Sequence, residues 1–467
     1  MSRFYDDELL LHGDAAKQLY QECACGKPIY DYHCHLNPQE IYENKPFHDL
    51  GEMWLAGDHY KWRAMRQNGV DERLITGDAD FHEKYRAWSG AVPYMVGSPL
   101  YHWTQMELAQ IFDIRRPLTP DSADGIWDET RAKMADGSLT PRSLMKRFDV
   151  RVVCTTDDPC DDLRYHRLLA QEKGFGTTVL PTFRPDKLYT GMGTPDFAAY
   201  VARLGEVSGR PISDFDGFLD AIESRLDYFV QSGCVISDHS VAHPPVVHGD
   251  KADAASAFDA AMKGEPVDAL DQEKYLDFLL RTLAGWYRRR GMVMQLHMSP
   301  IRNASRVMFR KLGPDHGFDT VGSIVNPEDL CRMLADMEEA GGLPKMVLYS
   351  LNAASNESII TALGSFAGEV PGKLQLGSAW WFADHVDGID RQIRLTAANG
   401  ALGRFIGMLT DSRSFTSYVR FDYFRRILCN AIGGWVDGGE YPDDGYLRQM
   451  VEGICCKNAE QFFGFGK

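Results

Sequence analysis

Short apolar stretches rich in β-branched residues recur along the chain, and turn residues flank each of them. Eight such stretches predict strands: 28–36, 150–156, 178–184, 234–239, 292–297, 345–350, 374–378 and 405–411. Continuous apolar runs of this length are typical of strands that are covered on both faces, as in parallel sheets.

Helical patterns separate these predicted strands. From Phe215 to Phe229 the apolar residues recur every three or four positions, which predicts a helix with Ser213 as its N-cap. Asn326, followed by Pro327, predicts the start of another helix. Strands that alternate with helices indicate an α/β fold. Eight repeats favour a closed (β/α)₈ TIM barrel, with an open doubly wound sheet as the alternative.

One interval between strands is far longer than a barrel requires. Residues 37–149 are rich in aromatic residues and helical in pattern. We therefore predict a helical insertion at 37–149, and a barrel domain made of residues 1–36 and 150–467. The insertion is expected to lie over the barrel mouth, because the loops that follow the strands build the active site there.

Composition and charge exclude several classes of protein. Of the 467 residues, 44% are hydrophobic, which excludes a disordered chain. The net charge of −16 makes nucleic acid and anionic membranes poor partners. An anionic small molecule would need a local cationic cluster, and the segment 57–66 offers His59, Lys61, Arg63 and Arg66 against the single acid Asp58.

The compartment is predicted from features that the sequence lacks. It begins without a basic and then apolar leader, and it has no apolar run long enough to span a membrane. The ten cysteines show no repeated CxxC spacing, so we expect reduced thiols. These features predict a soluble, cytoplasmic protein.

The pair His33 and His35 is the first candidate for chemistry. Residues two apart on a strand project from the same face, so both imidazoles can bind one divalent metal. The alternative is two unrelated strand histidines. Asp411 ends the eighth predicted strand, which neighbours the first in a closed barrel. Its carboxylate could ligate the metal, act as a general base, or merely cap the next helix.

Other candidate residues also lie at the ends of predicted strands. His297 ends the fifth predicted strand and Arg184 the third, although a lone strand histidine is usually structural. Arg413 follows Asp411 by two positions and offers a fork that can grip a carboxylate. Trp380 and Trp381 offer aromatic surface suited to the apolar face of a sugar.

Taken together, these residues resemble the uronate isomerases (glucuronate isomerases) of the amidohydrolase superfamily. The resemblance covers essentially the whole chain. It is carried by five motifs in the family's order, at 30–36, 57–63, 154–159, 377–382 and 410–414. It implies a TIM barrel of the metal-dependent hydrolase type.

The resemblance also implies an activity and a set of site residues. The activity is the interconversion of D-glucuronate with D-fructuronate, and of D-galacturonate with D-tagaturonate. The implied metal-site residues, for a divalent ion that we expect to be Zn²⁺, are His33, His35 and Asp411. The implied pocket residues are Tyr60, His297 and Arg413, with His59, Arg184, Arg302 and Trp381 as further substrate-binding candidates.

Aldose–ketose isomerisation needs a base for the C2 proton, a proton shuttle and charge stabilisation for the enediolate. Our hypothesis assigns these roles to Asp411 or a neighbour, Tyr60 and Arg413, respectively. The main rival is a metal-dependent hydrolase or decarboxylase on the same barrel, and a non-catalytic sugar-acid binding protein is a third hypothesis. The expected ligands are hexuronates, without nucleic acid or membrane partners. The preferred uronate, the necessity of the metal and the oligomeric state, including a homo-oligomer, stay open.

Overall fold

Two parallel sheets form the centre of the fold. The computed structural model describes residues 4–368 and 370–465. Its strands are β1 (Ile29–Asp31), β2 (Val150–Cys154), β3 (Thr178–Leu180), β4 (Ile236–Val241), β5 (Val293–Met298), β6 (Pro300–Ile301), β7 (Thr320–Val321), β8 (Lys345–Ser350) and β9 (Leu374–Leu376). One sheet has the order β1-β2-β3, the other the order β4-β5-β8-β9, and β6 pairs with β7 in a separate antiparallel ribbon.

The two sheets and the segment 405–412 are arranged as a ring, and backbone hydrogen bonds link two of its seams. Just past β3, the N–H of Phe183 donates to the carbonyl of Ile236 at 3.1 Å, and the N–H of Asp238 donates back to Phe183 at 3.0 Å. On the far side, the N–H of Asp411 donates to His33 at 3.1 Å, and the N–H of His35 donates to Ser412 at 2.9 Å. The predicted α/β fold with parallel strands is confirmed, and this ring is consistent with a (β/α)₈ barrel.

The prediction of an eighth strand at 405–411 is wrong. Within the described residues, no strand covers 405–411, although the segment lies beside β1. Gly407 has a φ of +75°, which interrupts the extended conformation that a ladder requires. The N–H of Ile406 donates to the side chain of Gln375 instead of to a backbone carbonyl of β9. The segment therefore occupies the place of an eighth strand beside β1, although it does not form a regular β-ladder.

Helices surround the ring and fill the long interval after β1. Their bounds are Asp14–Leu19, Pro38–Glu43, Leu50–Leu55, His59–Gln67, Phe81–Ala91, Pro99–Phe112, Pro120–Met134, Pro141–Arg147, Arg164–Gln171, Pro195–Ser208, Phe215–Gln231, Lys251–Met262, Ala269–Arg289, Arg306–Leu312, Pro327–Glu339, Asn356–Ser365, Val386–Asn399, Val419–Asp437, Gly445–Glu452 and Asn458–Phe463. Short 3₁₀ turns lie at Glu72–Leu74, Val92–Tyr94, Asp186–Leu188, Ala353–Ser355, Trp381–Ala383, Leu402–Arg404 and Phe415–Tyr418, and π turns at Tyr20–Ala24 and Gly453–Lys457.

Two helix starts test the capping predictions. Asn326 caps the helix at Pro327 as expected, because its side chain accepts from the N–H of Glu328. The cap of the helix Phe215–Gln231 is Asp214 and not Ser213, since Asp214 accepts from the N–H of Gly217. Both serine and aspartate are good caps, so the sequence could not separate adjacent candidates.

The regular elements of residues 38–147 are all helices and 3₁₀ turns. Their apolar core, including Trp54 and Trp88, is continuous with Val153 of β2 and Leu428 of a C-terminal helix. The helix His59–Gln67 brings Tyr60 within 3.5 Å of Asp411. The insertion therefore contributes to the site, and the domain boundaries at 37–149 stay a prediction.

Two general properties of the chain are also visible. All ten cysteines are free thiols. Among the residues that the structure describes, no helix combines the length and the apolar character needed to cross a membrane.

The closure of the ring depends on glycine at position 407. A Cβ there would lie 2.2 Å from the carbonyl oxygen of Ile454, whereas Gly26, with a φ of +65°, has open space around it. We predict that Gly26→Ala lowers the free energy of unfolding by about 1–2 kcal/mol, through backbone strain alone. Gly407→Ala should lower it by at least about 3 kcal/mol, because overlap adds to the strain. Urea denaturation of both variants measures the difference, and equal losses would contradict the proposed close approach.

Candidate active site

A cavity of about 620 Å³ opens where the strands end, within the size range of ligand pockets. Ten of the residues singled out in the sequence line it: His33, His35, His59, Arg184, His297, Arg302, Trp380, Trp381, Asp411 and Arg413. Tyr60 lies behind this lining, with its hydroxyl 3.5 Å from Oδ2 of Asp411. The structure therefore brings together side chains from β5, the insertion, the C-terminal region and the segment after β1. The predicted strand 28–36 is shorter than expected, since β1 ends at Asp31 and both His33 and His35 follow it.

Asp411 is the centre of the site. Its Oδ1 lies 3.2 Å from Nε2 of His33 and 3.0 Å from Nε2 of His35. Its Oδ2 accepts a hydrogen bond of 2.8 Å from the indole N–H of Trp380. Burial raises the pKa of Asp411, but the hydrogen bonds from the two histidines outweigh it and hold this pKa well below its usual range. The carboxylate is therefore ionised.

The alternative interpretation of Asp411 as a helix cap does not hold. Ser414 caps the following 3₁₀ turn, Phe415–Tyr418, by accepting from the N–H of Thr416. Asp411 itself has a φ of +46°, a left-handed conformation that costs about 1–3 kcal/mol in a residue other than glycine. In this backbone conformation its side chain points at the two histidines and Trp380.

The two histidines differ in their surroundings. Burial lowers the pKa of His35 to about 4. Burial also lowers the pKa of His33, but Asp238 and Asp411 on either side outweigh it and raise this pKa above its ordinary value. His35 is therefore neutral at pH 7, as a metal ligand must be.

Asp238, on β4, is a functional candidate that the sequence reasoning missed. Its Oδ1 accepts from Nδ1 of His297 at 2.8 Å. Its Oδ2 lies 3.0 Å from Nη1 of Arg184 and 4.0 Å from Nδ1 of His33. The available signal was an aspartate within an apolar strand pattern, which predicts a buried carboxylate. An aspartate is almost never buried without a partner, and Asp238 is fully buried.

Asp238 fixes the tautomer of His297. Because a carboxylate only accepts, Nδ1 of His297 carries the proton. Burial lowers the pKa of His297, so the ring is neutral and its Nε2 is an acceptor. Within the described part of the chain this Nε2, like Nδ1 of His33, is buried without a hydrogen-bond partner. Both are free to bind a ligand.

The donor set fits a divalent metal. Two groups have donor atoms within 4.8 Å of one another and share His33: one with His35 and Asp411, the other with Asp238 and His297. Ligands about 2.1 Å from a metal at tetrahedral or smaller angles lie about 3.0–3.4 Å apart. The separations of 3.0 and 3.2 Å at Asp411 match that spacing, so His33, His35 and Asp411 can hold the ion.

The cations of the cavity wall are paired with neighbours. Nη1 of Arg413 lies 2.6 Å from Nδ1 of His59, and Nη2 lies 3.5 Å from Asp315. Arg302 pairs with Asp319 at 2.7 Å. Because Arg413 only donates, His59 accepts through Nδ1 and is neutral. Burial, followed by the charge of Arg413, lowers the pKa of His59 in the same direction.

Of the cationic cluster predicted at 57–66, His59 lines the cavity, whereas Lys61, Arg63 and Arg66 do not. Lys61 is buried and bonds to Asp58 at 2.8 Å. Arg63 donates to the carbonyl of Asp319 at 2.8 Å, and Arg66 pairs with Glu72 at 2.7 Å. These side chains hold the insertion together and attach it to the segment after β5. The cations that line the cavity are Arg184, Lys187, Arg302 and Arg413.

The fold and the site define an α/β enzyme with a His/His/Asp group, suited to a divalent metal, at the mouth of its parallel strands. The sequence profile of the Glucuronate isomerase family matches residues 1–463. The chain therefore belongs to the glucuronate isomerase family.

Individual relatives agree with this assignment. The uronate isomerase of Brachyspira hyodysenteriae is 45% identical over 469 residues, covering 99% of this chain and 100% of the relative. The crystal structure of the uronate isomerase from Thermotoga maritima superimposes with a TM-score of 0.93 at 32% identity, covering 99% of this chain and 100% of that one. A Lactobacillus casei protein assigned to the metal-dependent hydrolases shares only the fold, with a TM-score of 0.53 at 14% identity and 97% of each chain covered.

Metal binding is predicted to depend on His35 and not on a second His/Asp/Asp group. His248, Asp277 and Asp336 also lie close together, but Arg281 and Arg332 each lie 3.0 Å from one of these carboxylates. We expect His35→Ala to weaken zinc binding by more than the ~100-fold that loss of an outer residue costs. His248→Ala should leave it unchanged. Isothermal titration of metal-free protein with zinc measures both, and equal affinities would exclude His35 as a ligand.

Proposed function

We propose that this protein interconverts aldose and ketose hexuronates, D-glucuronate with D-fructuronate and D-galacturonate with D-tagaturonate, through an enediol. The observation that carries the proposal is the ionised Asp411 beside the hydroxyl of Tyr60, 3.5 Å apart, at a cavity that also contains arginines. The relatives named uronate isomerases support the same activity.

Asp411 is the proposed base. Removal of the C2 proton requires an ionised group in reach of the sugar, and the low pKa of Asp411 keeps its carboxylate charged at neutral pH. Its two oxygens have different partners, histidines at Oδ1 and Trp380 at Oδ2. The carboxylate is thus held rigidly in front of the substrate, and the proton it takes from C2 returns to C1.

Tyr60 is the proposed shuttle between the C1 and C2 oxygens. Burial, followed by the charge of Asp411, raises the pKa of Tyr60 well above its ordinary value. The phenol is therefore protonated, and it can donate to one oxygen while it accepts from the other. Asp411 removes the carbon-bound proton, and Tyr60 moves the oxygen-bound one.

Arg413 is the proposed stabiliser of the enediolate or of the substrate carboxylate. Its guanidinium is partly exposed to the cavity, with His59 on one side. Trp381 packs against His59 and Tyr60, with ring centroids 5.2 and 5.5 Å away, and offers a face to the sugar. We assign His297 through its free Nε2, Arg184 and Arg302 to further substrate contacts.

We assign the metal site to His33, His35 and Asp411, and expect zinc because two imidazoles and a carboxylate are ligands that it commonly takes. When bound, the ion would supply Lewis-acid binding of substrate oxygens. The free thiols support a reducing, cytoplasmic location, and hexuronates are the proposed ligands.

The direct test is incubation of the metal-loaded protein with D-glucuronate and D-galacturonate, with detection of the keto acids. We expect both ketoses to form without cleavage, and chelation followed by zinc addition to show how far turnover depends on the ion. Release of CO₂ or of a new carboxylate would instead identify a decarboxylase or hydrolase. Tight uronate binding without any turnover would identify a binding protein.

Replacing the proposed base should remove turnover without removing the fold. We expect Asp411→Asn to lower kcat by at least ~10²-fold, as for loss of a general base. The exposed Asp121, in the first turn of Pro120–Met134, offers a matched control, Asp121→Asn, that should retain wild-type turnover. Zinc content is measured for each variant, so that loss of the ion is separated from loss of the base. A zinc-loaded Asp411→Asn enzyme with normal kcat would exclude this mechanism.

A further inference from the structure

A fully buried arginine lies directly behind the two residues that we assign to proton transfer. Arg420, in the helix Val419–Asp437, is 1% exposed. Its Nη1 donates to the carbonyl oxygen of Thr410 at 3.1 Å. Its guanidinium carbon lies 5.4 Å from the ring centroid of Tyr60 and 4.0 Å from that of Trp103. Both distances are within the range of cation–π attraction.

The contact with Thr410 acts on Asp411. Asp31 accepts hydrogen bonds from the N–H of Thr410 at 2.9 Å and from its hydroxyl at 2.6 Å. Arg420 holds the carbonyl of the same residue, so Thr410 is fixed at all three of its polar groups. Asp411 follows directly in its left-handed conformation, φ +46°. Arg420 therefore hydrogen-bonds to the peptide group between Thr410 and Asp411, and the orientation of this group sets the direction of the Asp411 side chain.

The contact with Tyr60 comes from the other side. The ring of Tyr60 belongs to the helix His59–Gln67 of the predicted insertion, whereas Asp411 belongs to the segment that closes the ring of strands. Arg420 contacts the helix through the ring of Tyr60 and the segment through the carbonyl of Thr410. It is thus a single rigid group that spans the boundary between the two parts of the chain whose oxygens meet 3.5 Å apart.

Burial of this charged side chain has a large desolvation cost. Among the described residues its Nε has no hydrogen-bond partner. The buried acids Asp58, Glu107 and Asp384 interact with its charge and offset part of that cost. Apolar side chains of similar volume often replace a buried ion without loss of stability, so packing alone gives little reason for a cation here.

We propose that Arg420 is a positioning residue for the reaction, which aligns the hydroxyl of Tyr60 with the carboxylate of Asp411. The proposal rests on the proposed function. It differs from a structural role in one respect: loss of Arg420 slows the chemical step in protein that is still folded and still binds substrate.

The same helix provides a matched control. Arg426 is also buried and lies 4.5 Å from the ring centroid of Tyr20. It donates to the backbone carbonyls of Asp7 and Leu9, at 2.9 and 3.1 Å. Its ion pair with Asp422 has a length of 3.0 Å. Like Arg420 it is a buried arginine of this helix, but its contacts are with Tyr20, Asp422 and the N-terminal segment, and not with Tyr60 or Thr410.

The experiment compares Arg420→Gln and Arg420→Lys with Arg426→Gln and Arg426→Lys in the metal-loaded protein. Thermal unfolding identifies a temperature at which all variants are folded, and kcat and KM for D-glucuronate are measured there. We expect Arg420→Gln to lower kcat by about 10²-fold with KM nearly unchanged, the size of effect that a misplaced reacting group produces. Arg420→Lys should recover part of kcat, because an ammonium can still donate to Thr410.

The Arg426 variants should lose thermal stability while kcat stays within about threefold of the wild type. Equal loss of kcat in the Gln variants at 420 and 426 would overturn the proposal, as would a rise in KM alone. If Arg420→Gln does not fold, the two Lys variants decide: equal kcat values overturn the proposal, and a lower value for Arg420→Lys supports it. A wild-type protein that turns over no uronate would overturn the proposed function itself, and with it this inference.

Discussion

The carboxylate of Asp411 is the constraint on which the rest of the site depends. One oxygen faces two imidazoles from the segment that follows β1, and the other faces the indole of Trp380 and the phenol of Tyr60. Four parts of the chain therefore have to meet at one charged group. Burial alone would favour its neutral form, and the two histidines reverse that preference. A bound cation would act in the same direction.

Backbone strain accumulates around this cavity. Four of its lining residues other than glycine have left-handed backbones: Asn303, Asp315, Trp381 and Asp411. Each such residue costs about 1–3 kcal/mol unless its surroundings enforce the conformation. At Asp411, the enforcement is visible in the clamp on Thr410 by Asp31 and Arg420. The fold thus gives up some stability to hold these side chains at the cavity wall.

Charge pairing explains how an acidic protein can receive an acidic substrate. The net charge of −16 repels anions in general. Inside the cavity, Arg184 pairs with Asp238 and Asp186, Arg302 with Asp319, and Arg413 with Asp315. Arg413 has the longest of these contacts, 3.5 Å, and a neutral histidine as its other neighbour. By the length of its ion pair, it is the one of these three arginines most available to a new carboxylate.

By itself, the sequence determined the alternation of strands and helices, the address of His33, His35, Asp411 and His297 at strand ends, and the family. These follow from local periodicity and from motifs of neighbouring residues. The tertiary structure decided what depends on residues far apart in the chain. It removed the ladder from 405–411, because Gly407 packs against Ile454, and turned Lys61, Arg63 and Arg66 away from the cavity, because partners within and beyond the insertion bind them. It also placed Asp238 and Arg420 behind the reacting groups, since burial and partner choice are set only when the ring of strands closes.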